Sequence, residues 1–268
     1  TKTFDDTFPR EWKQQLNPED TLIEVFPTLA HFKQKVKGIT QKEDNKCGIS
    51  YANALKELLS NKGTMSSGEY ETIKNRVANN LMKRGLISDT VYESYKYDVE
   101  GDIIDVNKVI QEDPMCCLVP NKKYTDFFYE LYISISYPYT VPDSEVIENM
   151  AKILATIELL EKEHYYCKVS LIFPDYRCNN GEGKKNYMAV VPLFSHKDVK
   201  TIEVMSSVLN ERLLRKFFFA ILEDTFGNYL DDGYGQPIKL DKAIIPVDLD
   251  ECALCANILE QVMEKGTR

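Results

Sequence analysis

Three predicted strands in the second half of the chain end in short polar side chains that could bind a divalent cation. Ser134 and Ser136 end the first of these strands, Asp175 follows the second, and Asp248 and Asp250 follow the last. If the strands are parallel, their carboxyl ends meet at one edge of a sheet, where ligands of such folds bind. Hydroxyl and carboxylate oxygens are the ligands that Mg²⁺ and Ca²⁺ accept. These five residues are the candidate metal ligands.

The same side chains also have a purely structural interpretation, which the sequence leaves open. Asp250 can cap the helix that is predicted to start beside it, and Asp175 follows Pro174 as a turn residue. The two serines can pack beneath a loop. The protein is therefore expected either to hold no cofactor or, as the alternative, to bind Mg or Ca at this edge.

Other residues that could carry chemistry form less complete sets. His196 shares one predicted loop with Ser195 and Asp198 and could act as a base, but neighbouring loop residues seldom make the contacts that such a set needs. Cys252 and Cys255 have the spacing of a zinc or redox pair, yet no second pair completes a tetrahedral site. The loops contain no phosphate-binding loop, catalytic triad or dinucleotide fingerprint, so we expect a non-enzymatic protein.

The second half of the chain alternates apolar strands with long amphipathic helices. Strands are predicted at Tyr124–Ser136, Tyr166–Phe173, Asn186–Phe194 and Lys242–Val247, and helices at Pro142 to about His164, Thr201–Phe226 and Asp250 to about Lys265. This order predicts an α/β fold with a mixed sheet flanked by helices, and it also fits a ferredoxin-like α+β fold.

The first part of the chain is predicted to be helical and to contain one β-hairpin. Helical patterns cover Pro9–Leu16, Pro18–Lys37 with an interruption at Pro27, Tyr51–Leu59 and Glu69–Arg84, and the hairpin would pair Val91–Asp98 with Asp102–Val106. A boundary near Pro120 divides the chain into residues 1–120, an N-terminal region that packs on the main domain, and residues 121–268, the α/β domain.

Composition excludes some classes of function. The chain of 268 residues has a formal net charge of −9 and 43% hydrophobic residues, which is ordinary for a globular protein. Because phosphate binding needs clustered basic residues, we do not expect the protein to bind nucleic acid over a broad surface. Arg212, Arg215 and Lys216 form the one cluster that could support nucleic-acid binding. No apolar run is long enough to span a bilayer, so no membrane partner is expected. The seven cysteines are odd in number and dispersed, which favours an intracellular protein.

Several short segments in register resemble a family of uncharacterised phage-encoded proteins. These segments are Val25–Phe32, Ser50–Leu59, Gly101–Val106, Asp113–Cys117, Leu159–Glu161 and Tyr166–Val169. Together they cover most of the chain. The resemblance implies a viral origin, a fold that involves the whole chain, and a location in the host cytoplasm or the virion. It implies no particular activity.

A more distant resemblance is to von Willebrand factor A domains, which are mixed sheets whose first strand ends in a metal-binding D-x-S-x-S motif. Ser134 and Ser136 match the two serines of this motif, whereas Tyr132 stands in the place of its aspartate. The resemblance implies an A-domain-like sheet with a degenerate metal site.

These observations favour a phage-encoded interaction protein, either a virion-associated component or a host-directed effector. Its partner would be a phage or host protein, or a second copy of the chain. Clusters among the sixteen tyrosines, at Tyr92, Tyr95 and Tyr97 and at Tyr137 and Tyr139, suit a contact surface. The alternative is a metal-dependent ligand-binding or hydrolytic protein that uses the five candidate ligands.

Overall fold

A computed structural model of the chain describes residues 8–17, 19–39, 50–60, 65–87, 95–100, 103–120, 126–138, 140–176, 186–208, 211–226 and 236–266. The helices are α1 (Arg10–Gln15), α2 (Leu29–Gly38), α3 (Tyr51–Ser60), α4 (Ser67–Lys83), α5 (Val106–Ile110), α6 (Asp143–Lys162), α7 (Ile202–Val208), α8 (Glu211–Phe226) and α9 (Glu251–Gly266). The strands are β1 (Thr21–Val25), β2 (Tyr95–Asp98), β3 (Ile103–Ile104), β4 (Cys117–Pro120), β5 (Phe127–Ser134), β6 (Tyr165–Tyr176), β7 (Asn186–Phe194), β8 (Gln236–Pro237) and β9 (Ala243–Ile244). No helix within these ranges is both long and apolar enough to cross a bilayer.

A mixed sheet forms the centre of the molecule, with the strand order β1-β7-β6-β5-β9 and with β8 paired to β6. Strands β5, β6 and β9 are parallel to one another, β7 is antiparallel to β6, and β1 is parallel to β7. The prediction of an α/β fold with a mixed sheet flanked by helices is confirmed. The ferredoxin-like alternative does not fit, because its split βαβ unit needs a strand between β5 and β6, which pair directly.

The larger hydrophobic core lies on one face of this sheet. Helix α6 buries an apolar stripe there, and α2, α8 and α9 contribute to the same core. The ring of Phe173 on β6 stacks on Phe218 of α8 with centroids 4.7 Å apart, and Phe32 of α2 contacts Phe218 at 5.1 Å. Such aromatic contacts add to the stabilisation that comes from burying the ring area.

The opposite face of the sheet is covered in part by α1 and the segment before β9. Trp12 of α1 is fully buried, and its ring contacts Tyr132 edge-on at 4.8 Å. Its indole Nε1 donates a hydrogen bond of 2.6 Å to the carbonyl oxygen of Asp241. This smaller core also holds Ile172 and Met188. The two faces therefore bury different sets of alternating side chains from the same strands.

The structure corrects the prediction for Pro18–Lys37. Thr21–Val25 is not helical but forms β1, which pairs with β7 at the edge of the main sheet. The helix starts only after Pro27, and the Thr28 hydroxyl caps it by accepting the His31 N–H. The strand is short, and its pairing with β7 outweighs the weak helical pattern. The division of the chain at residues 120 and 121 stays a prediction.

The predicted hairpin is also wrong. Strands β2 and β3 do not pair with each other, because β4 lies between them and is antiparallel to both. We call β2, β3, β4 and α5 the small sheet. Of the residues in this segment whose side chains are described, 97–100 and 104–117, none belongs to either hydrophobic core of the main sheet.

The helix predicted at Thr201–Phe226 is helical from Ile202 onward wherever the structure describes it, as α7 and α8, and residues 209–210 lie outside the described residues. One predicted element in the second half is shorter than the sequence pattern indicates. The strand predicted at Lys242–Val247 is reduced to Ala243–Ile244. Left-handed backbone at Lys242 and Asp248, with φ of 62° and 50°, limits this strand at both ends.

Candidate functional site

The strands that carry or precede the predicted metal ligands, β5, β6 and β9, are parallel, so their carboxyl ends meet at one edge of the sheet. Ser134 is the last residue of β5, and Asp175 lies within β6, which extends to Tyr176 rather than ending at Phe173 as predicted. Both serines are buried, and the Ser134 hydroxyl accepts the Ser136 N–H at 3.4 Å. This edge is the one at which a parallel sheet binds ligands.

The pleat of β6 separates Asp175 from the two serines. Asp175 is fully buried and in register with Tyr187, which belongs to the core on the helix-covered face. Ser134 is in register with Ile172, which belongs to the core on the opposite face. Because neighbours in register share a face, the side chains of Ser134 and Asp175 leave the sheet on opposite sides.

The two aspartates after β9 lie near the first turns of α6 and α9. The Asp248 N–H donates a hydrogen bond of 3.1 Å to the Glu145 carboxylate. The Asp250 carboxylate accepts the N–H groups of Cys252 and Ala253, at 2.9 and 3.3 Å, so it caps α9.

The set of five ligands stays a prediction. Within the described residues no group of three or more His, Cys, Asp or Glu side chains is placed to hold a metal ion.

An open groove lies at the other end of the sheet, where β5 and β6 begin. It has a volume of about 640 Å³ and is bounded by the last turns of α6 and by the loop 195–200 that follows β7. We call it the aromatic groove, after the rings of Phe128, Tyr166 and His196 that line it. A cavity of this size suits a small-molecule ligand.

The three rings are arranged in contact with one another. Phe128 stacks on Tyr166 with centroids 5.8 Å apart and an interplanar angle of 27°. His196 meets Phe128 edge-on at 5.3 Å. More than half of Phe128, 55% of its surface, is nevertheless exposed, which is unusual for a large apolar ring next to two aromatic neighbours.

The acidic groups that line the groove are all held by other groups of the protein. Glu158 pairs with Lys74 at 2.5 Å, and Asp126 contacts His164 Nδ1 at 3.2 Å. The Asp198 carboxylate accepts the Ser195 N–H at 2.6 Å, and this backbone hydrogen bond is the main reason why the pKa of Asp198 is lowered. Glu161 pairs with a buried lysine, Lys200.

Lys200 attaches the loop to the end of α6. Its side chain is fully buried, and its Nζ lies 2.5 Å from Glu161 Oε1, 3.4 Å from the Ser195 carbonyl oxygen and 3.3 Å from that of Asp198. Glu161 also accepts the N–H of Cys167. Cys167 lies in the first part of β6, before the residues that pair with β7. Glu161 therefore satisfies one N–H of β6, and Lys200 joins Glu161 to the loop that carries His196.

Lys162 and Lys197 differ from the acidic groups around them. Both line the groove and are exposed. Neither forms an ion pair within 4 Å with any residue in the described part of the chain. Two ammonium groups thus remain available at this site.

The loop does not assemble a nucleophile with a base. His196 Nε2 lies 3.1 Å from the carbonyl oxygen of Tyr129, which can only accept, so Nε2 donates. Asp198 holds the Ser195 backbone rather than the imidazole. The geometry therefore does not connect Ser195, His196 and Asp198 as a catalytic set requires.

The thiols near these elements are structural in character. Burial raises the pKa of the Cys167 thiol well above its ordinary value and that of Cys255 to about 11. Cys255 of α9 is fully buried in the larger hydrophobic core. Such thiols are poor nucleophiles because the thiolate is the reactive form.

The small sheet carries an exposed apolar surface. Several of its large hydrophobic side chains point to solvent, with Ile110 74%, Val106 64% and Ile104 58% exposed. We call these three residues, together with Val99, Val109, Met115 and Tyr97, the apolar surface. Single exposed hydrophobic residues are ordinary, whereas seven of them within residues 97–115 make this segment a candidate interaction site.

Polar contacts fix α5 on β2 and so hold the apolar surface in shape. The Asp105 carboxylate caps α5 through the Asn107 N–H at 3.0 Å and accepts the Tyr97 hydroxyl at 2.8 Å. Lys108 lies 3.7 Å from the centre of the Tyr97 ring and pairs with Asp113 at 2.9 Å. Asp105, Lys108 and Asp113 thus interact with other residues of the small sheet.

The charge around the apolar surface is acidic. Residues 95–120 contain six Asp or Glu side chains and two lysines, which gives a formal net charge of −4. The segment therefore combines exposed apolar side chains with a negative net charge. This combination is typical of a contact site for a partner with the opposite charge.

Sequence reasoning missed both the groove and most of the apolar surface. Of the predicted tyrosine clusters, Tyr97 is on the surface and Tyr137 is buried, whereas Tyr92 and Tyr139 lie outside the described residues. In the basic cluster Lys216 is buried, and the side chains of Arg212 and Arg215 are outside the description. Ile103-Ile104 and Val109-Ile110 were visible as apolar pairs in short elements, and only the structure shows that Ile104, Val109 and Ile110 are exposed.

Comparison with known proteins yields one family. The family model described as a domain of unknown function, DUF7192, matches residues 10–258. No curated protein and no solved structure matches the chain.

Proposed function

The chain belongs to the DUF7192 family, and we propose that it functions as a non-enzymatic interaction protein that binds another protein through its apolar surface. The observation that carries this proposal is the exposure of Ile104, Val106 and Ile110 together on one short segment. Their burial against a partner would remove apolar area from water at about 25 cal/mol per Å².

The construction of the small sheet supports the same conclusion. Its strands are between two and four residues long, and α5 has five residues. Sheets of this size need a covered hydrophobic face to be stable, and no residue of 97–100 or 104–117, whose side chains the structure describes, joins the two hydrophobic cores. A partner protein would supply the missing cover.

Charge identifies the kind of partner. Two copies of the chain would bring together two segments with a net charge of −4, so self-association through this surface is disfavoured. A partner that presents apolar side chains ringed by Lys and Arg would match both features. We therefore commit to a second, different protein with a basic margin.

The finer expectations from the sequence remain proposals. A phage origin would make the partner a virion component or a host protein. An A-domain-like arrangement is supported by the parallel pairing of β5 with β6 and by the position of Ser134 and Ser136 after the first strand of the second half. Tyr132 argues against an A-domain-like metal site, because it occupies the place of the motif's aspartate and its ring packs against Trp12.

The experiment compares two positions on exposed helical residues. A photo-crosslinking amino acid is placed at Ile110, or at Met263 of α9 as the matched control, and the crosslinked protein is identified, purified and reassembled with the chain. We expect crosslinks from Ile110 and not from Met263. The double variant V106N/I110N should bind the purified partner about 10–100-fold more weakly, whereas M263N should bind as the wild type does.

Three results would contradict the proposal. Equal crosslinking from both positions would show that the apolar surface is not the contact, and so would unchanged affinity of V106N/I110N. A concentration-dependent dimer in light scattering that V106N/I110N abolishes would replace the basic partner with a second copy. Weaker binding at higher salt would support the acidic side chains of this segment as part of the contact.

A further inference from the structure

The aromatic groove is a second, independent site at the amino ends of β5 and β6. Its wall offers the exposed ring of Phe128, which Tyr166 and His196 hold in place by stacking and edge-on contact. Rings fixed in this way lose little freedom when a planar ligand stacks on them. The site is thus suited to an aromatic ligand.

Charge decides which aromatic ligand the groove would take. Glu158 and Glu161 are ion-paired with lysines, and the carboxylates of Asp126 and Asp198 are engaged by His164 and by the Ser195 N–H. The ammonium groups of Lys162 and Lys197 are exposed and form no ion pair within the described residues. They lie on two different walls, the end of α6 and the loop 195–200, so a ligand between these walls could contact both.

We propose that the aromatic groove binds a small planar aromatic compound that carries an anionic group. The ring would stack on Phe128, and the anion would pair with Lys162 and Lys197. A volume of about 640 Å³ accommodates a molecule of the size of a nucleoside monophosphate or a substituted naphthalene. Carboxylate and phosphate would both satisfy the two ammonium groups, so the shared chemistry is an aromatic anion.

The first test uses two fluorescent probes that differ in charge. The anionic 8-anilino-1-naphthalenesulfonate should bind about 10-fold more tightly than the neutral N-phenyl-1-naphthylamine, because its sulfonate can contact both ammonium groups, and a tenfold difference corresponds to about 1.4 kcal/mol. All titrations use the V106N/I110N background, so that the apolar surface does not bind the dye. Equal affinity of the two probes would overturn the proposal.

Variants locate the binding. F128A should weaken binding of the anionic probe about 5–10-fold by removing the stacking ring, and K162Q and K197Q should each weaken it about 3–10-fold. K239Q replaces an exposed lysine outside the groove and should change the affinity less than about 2-fold. Unchanged melting temperatures show that each variant is folded. Unaltered affinity in F128A, or an equal effect of K239Q and K197Q, would contradict the site.

A third arm distinguishes the two sources of the anion. Displacement of the probe by 1-naphthoate supports a carboxylate ligand, and displacement by adenosine monophosphate but not by adenosine supports a phosphate ligand. Failure of both compounds to displace the probe at millimolar concentration would refute the proposal. Because Phe128 and Ile110 are in different surfaces, this result leaves the proposed protein interaction unaffected.

Discussion

Lys200 is the buried cation that joins the loop after β7 to α6, and its replacement by methionine removes the charge while nearly preserving the volume. Its Nζ contacts Glu161 at 2.5 Å and the carbonyl oxygens of Ser195 and Asp198 at 3.4 and 3.3 Å. In Lys200→Met the Glu161 carboxylate would keep the N–H of Cys167, at 3.3 Å, but no cation. An uncompensated charge would then remain at a largely enclosed position.

The magnitude follows from the exposure of the two partners. Removing one member of a buried ion pair costs about 3–5 kcal/mol. The Lys200 side chain is 0% exposed, but 20% of the Glu161 side chain remains accessible to water. We therefore expect the lower end of the range, a loss of about 3 kcal/mol in the free energy of unfolding, which corresponds to a fall in melting temperature of about 6–10 °C.

Urea unfolding followed by circular dichroism measures this loss, with Lys162→Met as the matched control. Lys162 is exposed and follows Glu161 in the chain, so its replacement should change stability by less than about 0.5 kcal/mol. Adding Glu161→Gln to Lys200→Met should recover part of the loss, because the isolated carboxylate is then neutral. A loss below about 1 kcal/mol in Lys200→Met, or no recovery in the double variant, would refute this account of the loop.

Three further predictions concern other parts of the fold. Trp12→Ala should lower the free energy of unfolding by about 3–5 kcal/mol, measured by urea titration, because the buried indole fills the smaller core; a change under about 1 kcal/mol would show that this core is not formed as described. Asp250→Ala should cost about 1 kcal/mol in the same assay because α9 loses its cap, and an unchanged stability would contradict the capping role. Iodoacetamide near pH 8 should leave Cys167 and Cys255 unmodified in the native protein, as burial raises the pKa of both thiols, whereas partly exposed Cys116 reacts; rapid native labelling of Cys255, read by mass spectrometry, would contradict the burial.

The sequence predicts the second half of the fold well because its elements are long and strongly patterned. Asn186–Phe194 is a strand with the predicted bounds, and α6 keeps its helical apolar stripe over most of the predicted range. Such runs bury many side chains, so packing in the folded protein agrees with the local pattern.

The errors occur where distant pairing decides the structure. Thr21–Val25 becomes a strand through β7, which is about 160 residues away in the chain. The local sequence around Glu100-Gly101 predicts a hairpin, but Cys117–Pro120 lies between its two strands and pairs with both. Hydrophobic periodicity is assessed over short stretches of sequence, so it does not detect either of these pairings.

Function was the least predictable property for a related physical reason. The metal site expected at the sheet edge requires parallel strands, and β5 and β6 are parallel. The pleat nevertheless places the side chains of Ser134 and Asp175 on opposite faces of the sheet. Ile110 and Phe128 are exposed because no other part of the described chain covers them. The type of an apolar residue does not indicate whether the folded chain will cover it.

The most direct test of the proposed interaction is hydrogen exchange on the purified chain with and without its crosslink-identified partner. If the apolar surface is the contact, amide exchange across residues 103–115 should slow at least about 10-fold in the complex, while the amides of α9 keep their rates. Unchanged exchange in residues 103–115, together with protection elsewhere on the molecule, would contradict the assignment of the small sheet as the binding element.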